Sequence, residues 1–240
     1  MTTTTSTPSL VRALRTVSAV DAVGDDLRRR MFAGELVGGE LLKEAVVAGE
    51  YAVSRSTAKA AIEKLTAEGL LERSANRSAR VPQLTAADVH DIYRTRLRLE
   101  SSALRELAAA RHAPREAAAA NARVRAAGVG AAAPRDLTVA HDGERGSAIA
   151  SVEPDMRFHA ALVEAIGSER LERMYGSLVD EARLCMVQVQ GRSLLAVDRI
   201  ADEHDEILRR LAAGDADGAV EVLTAHLTRA SDRLQAALDA

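Results

Sequence analysis

The sequence predicts a mainly α protein: an N-terminal winged helix-turn-helix with a small β-hairpin wing, then an antiparallel all-α bundle of about six helices. Three observations carry this expectation. The stretch Val53–Pro82 reads as a helix with a cationic outer face running straight into a short basic hairpin. Apolar residues recur at three- and four-residue spacing through most of the remaining chain. After Val81 no strand pattern occurs. Abundant Ala, Leu, Arg and Glu agree with a helical chain.

The totals narrow the classes of function. A chain of 240 residues, 47% hydrophobic, suffices for two modest cores. The net charge of −3 is unevenly spread. Residues 1–82 hold 12 Lys/Arg and 10 Asp/Glu, while residues 83–240 hold 20 and 25. Three Tyr, two Phe and no Trp argue against a base-stacking surface for single strands. Cys185, the one cysteine, excludes a disulfide framework and a multi-cysteine zinc site, and its apolar surroundings predict a core position. No apolar run approaches the roughly 20 residues of a spanning helix. The Ser/Thr-rich start, MTTTTSTPSLVRALR, lacks the apolar core of a secretory signal, so residues 1–16 are expected to form a flexible polar arm. A cytoplasmic protein with no membrane association is expected.

Within the winged region, expected over residues 17–82, Val20, Val23, Leu27 and Met31 define a first amphipathic helix over Val17–Ala33, stopped by Gly34. Gly34–Gly39 is a connection, and Leu42–Tyr51 a short second helix. After a tight turn at Ala52–Val53, the third helix buries Ala58, Ala61, Ile62 and Leu65 and presents Arg55, Ser56 and Lys59 outward, ending at Gly69. Leu70–Arg73 and Arg80–Val81 are expected to pair as short strands around the polar tip Ser74–Ser78. This arrangement suits a major groove and its neighbouring phosphates.

The residues of this region carry a specific resemblance. Gly34-Glu35-Leu36, Gly38-Gly39, Val53–Ile62 and Leu65–Leu71 resemble the connection, recognition helix and helix exit of GntR-family bacterial transcription regulators. The resemblance implies a DNA-reading set of Arg55, Ser56, Thr57 and Lys59 on the helix, with Asn76 and Arg77 at the wing tip. There are departures. Thr57 replaces the family's Pro, Lys59 its Arg and Ala60 its Glu, Ala45 stands where some relatives place Arg, and the wing tip reads Asn76-Arg77-Ser78 without glycine. Lys59 keeps the charge but not the bidentate fork that Arg offers to guanine. A familiar operator sequence is therefore not implied.

Beyond a linker at 83–88, residues 89–240 read as the bundle. Thr85 is a candidate N-cap for a helix over Ala86–Arg111. Further helices are expected over Pro114–Ala127, Val152–Ile166, Glu169–Gln190, Ser193–Ala213 and Ala216–Leu238, with a loop across Gly128–Ile149.

Asp155 and His159 lie one turn apart on one helix face, and His204 and His226 each sit on an amphipathic helix. Three imidazoles and a carboxylate can hold a divalent transition metal. Spacing alone leaves the plainer readings open: such a pair is often a surface contact, and a His on an apolar face is usually a satisfied core residue. Leu84–Val89, Arg96–Glu100, Asp155-x-x-Phe158-His159, Glu203-His204-x-x-Ile207-Leu208 and Ala225-His226-Leu227 resemble the FCD ligand-sensing domain of the FadR subfamily of GntR regulators. That resemblance implies Asp155, His159, His204 and His226 as metal ligands, for Zn, Mn or Ni. It also places Arg96 in an effector pocket, where the guanidinium suits a carboxylate; a salt bridge to Glu100 is the plainer alternative. Arg94 stands where the family is often acidic.

Together these readings predict a homodimeric regulator that binds a double-stranded inverted-repeat operator and is released from it by a small organic acid held near the metal. An activator of the same family is the alternative, and a metal-dependent enzyme a more distant one, since no nucleophile or general base stands out near the ligands.

Overall fold

The first helix begins where the Ser18 hydroxyl accepts from the Val20 amide, and α1 runs Ala19–Phe32 in this computed structural model. The structure describes residues 18–73, 78–131, 142–189 and 197–239, with backbone alone at 128–131, 142–151 and 197. The proposed arm at 1–16 and the wing-tip pair Asn76 and Arg77 lie outside the described residues.

Val23, Leu27 and Met31 of α1 point into a core shared with α2 (Glu44–Glu50) and α3 (Arg55–Ala67). Ser54 caps α3 by accepting from the Thr57 amide, and Ala58, Ala61, Ile62 and Leu65 are fully buried, as their spacing requires. The α2–α3 turn places Ala52 at φ +51, and Gly69 closes α3 at φ +81.

The small sheet differs from its sequence expectation. The return strand β2 (Ala79–Arg80) pairs antiparallel with β1 (Leu41–Leu42), of which the sequence reading gives Leu42 to the second helix and Leu41 to no element. The Leu70–Arg73 arm contributes one bridge, in which Glu72 and Arg80 exchange amide-to-carbonyl bonds of 2.9 and 3.0 Å. The reason is packing. Leu70 and Leu71 are both buried, so they turn into the core instead of alternating across a strand.

Six helices follow among the described residues: α4 (Ala86–Ala109), α5 (Arg115–Ala131), α6 (Asp142–Glu164), α7 (Glu169–Gln188), α8 (Val197–Ala213) and α9 (Ala216–Leu238). A capping box between Thr85 and Asp88 starts α4 at Ala86, with Thr85 as the N-cap that the sequence leads one to expect. Both ends of the loop expected over Gly128–Ile149 are helical. Helix α5 continues to Ala131, and α6 starts at Asp142 with Pro154 inside it, while 132–141 lie outside the described residues. Gly143, Gly146 and Pro154 weigh against helix locally, which is why the sequence does not announce this start. Helix α4 packs on α9, α5 on α6 and α8, α6 on α7, and α8 on α9. No described helix is long and apolar enough to cross a membrane.

Helix α7 has a second role that its sequence does not announce. Leu184, near its C-terminal end, completes the apolar core of the N-terminal region. Around it, Asp180 pairs with Arg28 at 3.5 Å and Arg183 lies over the Phe32 ring at 4.5 Å. Gln188 donates to the Pro82 carbonyl at 2.6 Å and accepts from the Leu84 amide at 3.2 Å. The turn at Gly69 meets Glu181 so closely that a Cβ there would sit 2.5 Å from its carboxylate oxygen.

Candidate functional site

Asp155 and His159 face inward from α6, His204 from α8 and His226 from α9; all four are buried. One ligand atom from each lies within 4.8 Å of all the others. The structure therefore brings together all four residues expected to hold a metal.

What orients the rings comes from other helices. His159 Nδ1 donates to Glu100 Oε2 of α4 at 2.6 Å, and His226 Nδ1 donates to Glu203 Oε2 of α8 at 2.9 Å. A carboxylate can only accept, so both rings carry their proton on Nδ1. His204 Nδ1 lies 3.0 Å from Asn121 Oδ1 of α5. The Asn121 amide donates to the Ala201 carbonyl and to Asp205, which turns its oxygen towards His204 and fixes the same tautomer there. Phe158 stacks on the His204 ring at 3.6 Å, holding its plane.

All three lone pairs are thereby left on Nε2. His159 Nε2 and His226 Nε2 face each other at 3.2 Å, and His204 Nε2 and Asp155 Oδ1 are buried with no hydrogen-bond partner. Converging lone pairs and an orphaned carboxylate oxygen repel one another unless a cation lies between them. Burial, and then the neighbouring charges, push His204 well below the usual imidazole range; burial also lowers His159 despite Glu100 beside it. Neutral imidazoles are the form that ligates metal. The residues present fit a divalent metal ion.

Glu100 serves more than His159. Its Oε1 accepts from Arg96 Nε at 3.0 Å and from the Tyr175 hydroxyl of α7 at 2.6 Å. Burial alone would raise its carboxyl, but His159 and Arg96 outweigh that and hold it at about 2. The Arg96–Glu100 salt bridge, the plainer alternative for Arg96, is thus present. It occupies only Nε: Nη1 and Nη2 of the fully buried guanidinium have no partner, nor does the nearby Tyr93 hydroxyl. Burial of Cys185 pushes its thiol up to about 12, which fits core packing.

Sequence reasoning missed Asn121, Glu203 and Tyr175 as parts of this site and took Glu100 only as a salt-bridge partner of Arg96. A Glu directly before a ligand His, as in Glu203-His204, is a local signal; Asn121 has none.

On the other region, Arg55, Ser56 and Lys59 of α3 are exposed and Thr57 is half-buried. Ser54 Oγ lies 2.8 Å from both Ser56 Oγ and Thr57 Oγ1, so these hydroxyls belong to the cap network. Lys59 is 3.6 Å from Glu63, and Arg55 has no acid within ion-pair distance among the described residues.

Comparison with known proteins agrees with both regions. Residues 19–81 match the family model for bacterial regulatory proteins of the gntR family, and residues 91–229, more than half of the chain, match the FCD domain. The Nta operon transcriptional regulator of Aminobacter aminovorans is 29% identical over 82% of this chain and 85% of its own length. An uncharacterized HTH-type transcriptional regulator of Bacillus subtilis, YdhC, is 34% identical over 33% of this chain; the match spans 36% of that relative. In fold, the chain is similar to a protein described as a GntR transcriptional regulator from Rhodococcus sp. RHA1. The TM-score is 0.71 at 23% identity, covering 92% of this chain and 99% of that one. E. coli McbR/YncC gives 0.68 at 18% identity, covering 91% and 98%. These likenesses indicate a DNA-binding regulator and not an enzyme. The chain belongs to the GntR family of bacterial regulatory proteins, in the branch that joins the winged helix to an FCD ligand-binding domain.

Proposed function

We propose that this regulator is a cytoplasmic homodimeric repressor, released from an inverted-repeat operator when a small organic acid binds beside a metal in its bundle. Asp155, His159, His204 and His226 hold the ion, which is Zn, Mn or Ni; nitrogen and oxygen donors choose weakly among these. The ion supplies an electrophilic anchor for a carboxylate. The single observation that carries this reading is the buried cluster itself: three Nε2 lone pairs and Asp155 Oδ1 converge beside Arg96, whose two Nη groups are unpaired. A buried guanidinium with its fork free suits a carboxylate.

On the DNA side, the exposed face of Arg55, Ser56 and Lys59 lies in the major groove, with Thr57 at its edge and Asn76 and Arg77 reaching phosphates or the minor groove. Two copies read the two half-sites. The Aminobacter relative is named for control of an operon, which suits this role.

An effector can act only by binding two arrangements unequally. The supporting contact is the Tyr175–Glu100 bond, because α7 carries Tyr175 near one end and Asp180, Arg183, Leu184 and Gln188 against the winged helix near the other. Displacement of Glu100 or Arg96 by a ligand therefore bears on α7 as well as on the linker at 83–88.

Binding-site selection on genomic DNA with the purified protein tests this function. Recovery of an inverted repeat near genes of organic-acid metabolism is the expected result. Absence of any salt-dependent DNA binding would sink it.

A further inference from the structure

One cavity among the described residues reaches the candidate metal cluster. A small cavity of about 20 Å³ is lined by Asp155 and His226, two of the four candidate ligands, and by Arg199, Arg229 and Arg233 of α8 and α9, with Glu203 between them. Room of this size admits about one water.

The charges at this mouth are unbalanced. Glu203 Oε2 accepts from His226 Nδ1 at 2.9 Å, so one oxygen is committed to orienting the ring. The other oxygen, Oε1, is shared by Arg199 Nε at 2.9 Å and by Arg229 Nη2 in a short contact. Asp155 Oδ1 faces inward, 3.5 Å from His204 Nε2. Two guanidinium groups, Arg199 and Arg229, therefore share one carboxylate oxygen, in a part of the chain where acids outnumber bases. Arg199 is 56% exposed and Arg229 30%, whereas Glu203 is 17% exposed: the cations are outermost and the anion lies behind them.

We propose that this mouth is an anion-selecting portal to the metal: Arg199 and Arg229 release Glu203 Oε1, take the carboxylate of an incoming small organic acid, and pass it to the ion. The exchange is balanced in charge, since one carboxylate replaces another on the same two guanidinium groups, while Glu203 Oε2 keeps His226 in place. Positive potential focused at a narrow opening raises the local concentration of anions and excludes cationic or neutral competitors. The portal lies on the α8–α9 side and does not include Arg96, so a ligand reaching the ion from it and gripped by Arg96 is held from both sides. This inference rests on the metal reading above.

The test uses the full chain loaded with Co²⁺, whose visible absorption reports its ligands. Acetate, succinate and inorganic phosphate are titrated into wild type, Arg199→Gln, Arg229→Gln, the double variant and Arg229→Lys. Succinate or acetate should perturb the wild-type spectrum more tightly than phosphate does. Its apparent Kd should rise about tenfold or more in the double variant, with Arg229→Lys keeping most of the wild-type affinity. Affinity for Co²⁺ should stay within about threefold throughout, because Glu203 and the four ligands remain. Unchanged succinate affinity in the double variant would overturn the portal and leave the metal site standing, as would tightest binding by phosphate for the choice of carboxylate. No spectral response of the wild type to any of the three anions would also overturn it. Failure of wild type to bind Co²⁺ at all would instead sink the metal reading itself.

Discussion

Arg55 and Lys59 stand in solvent on α3, and Arg55 has no acid within ion-pair reach among the described residues. His159 and His204, by contrast, are fully buried, and each has its Nδ1 fixed by a partner from another helix. The first region is a face whose side chains are free to adapt to a partner. The second is a constellation whose every ring is already held. Each of the six bundle helices contributes to it: Arg96 and Glu100 from α4, Asn121 from α5, Asp155 and His159 from α6, Tyr175 from α7, Glu203 and His204 from α8, His226 from α9. An ion needs a site organised before it arrives, because ordering the ligands afterwards would cost affinity. A groove of DNA offers charge at regular intervals, so long cations can settle onto it when they meet. The contrast explains where substitutions are tolerated. Of the departures from the family pattern, Thr57, Lys59 and Ala60 fall on α3, Ala45 on α2 and Arg94 on α4, while the four candidate ligands are intact.

If the buried constellation depends on its orienting partners, Glu100→Gln is the variant that hurts it most short of removing a ligand. The amide keeps an acceptor for His159 but loses the charge that Arg96 and Tyr175 face. Affinity for Zn²⁺, measured by competition with a chelator, should fall roughly 10- to 100-fold. An unchanged affinity would mean that the rings are placed by packing alone.

A smaller effect is expected at the exposed face. Arg55→Ala should weaken binding to a selected DNA site by about tenfold and lower the salt dependence by about one charge. Its unfolding free energy should stay within about 0.5 kcal/mol of wild type. Loss of stability together with DNA binding would remove the claim that this face is free to adapt.

Lys59→Arg supplies the fork that the family usually carries. It should change the sequence recovered by selection, adding a guanine preference at one position, with only a few-fold change in affinity. Recovery of the same sequence by both proteins would place Lys59 on phosphate instead of a base.

The smallest effect separates the two regions energetically. Ala52 holds φ +51 in the turn between α2 and α3, a conformation that costs a residue with a Cβ roughly 1 kcal/mol or more. Ala52→Gly should therefore raise the stability of the winged helix by a few tenths to about 1 kcal/mol in denaturant unfolding, after the added freedom of the unfolded chain is offset. Zinc affinity should not change. Destabilisation would show that the Ala52 methyl packs usefully in the turn.

The legibility of the two regions follows the same physics. Amphipathic spacing made α3 and its buried set readable, since Ala58, Ala61, Ile62 and Leu65 all lie on one helical face. It could not reveal β1, because two residues are too few to show an alternation. It also could not reveal that α6 starts at Asp142, because Gly143, Gly146 and Pro154 are poor helix formers. The four candidate ligands are legible in motifs, but their orienting partners are not. Glu100 meets His159 across 59 positions of chain, and Asn121 meets His204 across 83. Such pairs exist only after the bundle closes. Leu184 was hidden for a related reason: it looks like ordinary bundle core, yet it packs into the winged helix.

The central claim, that the bundle holds an ion through Asp155, His159, His204 and His226, is tested most directly by elemental analysis of the purified chain beside His204→Ala combined with His226→Ala. Wild type recovered from metal-replete medium should carry about one divalent transition-metal ion per chain and the double variant essentially none. Wild type without bound metal, or a double variant with the same content, would contradict it.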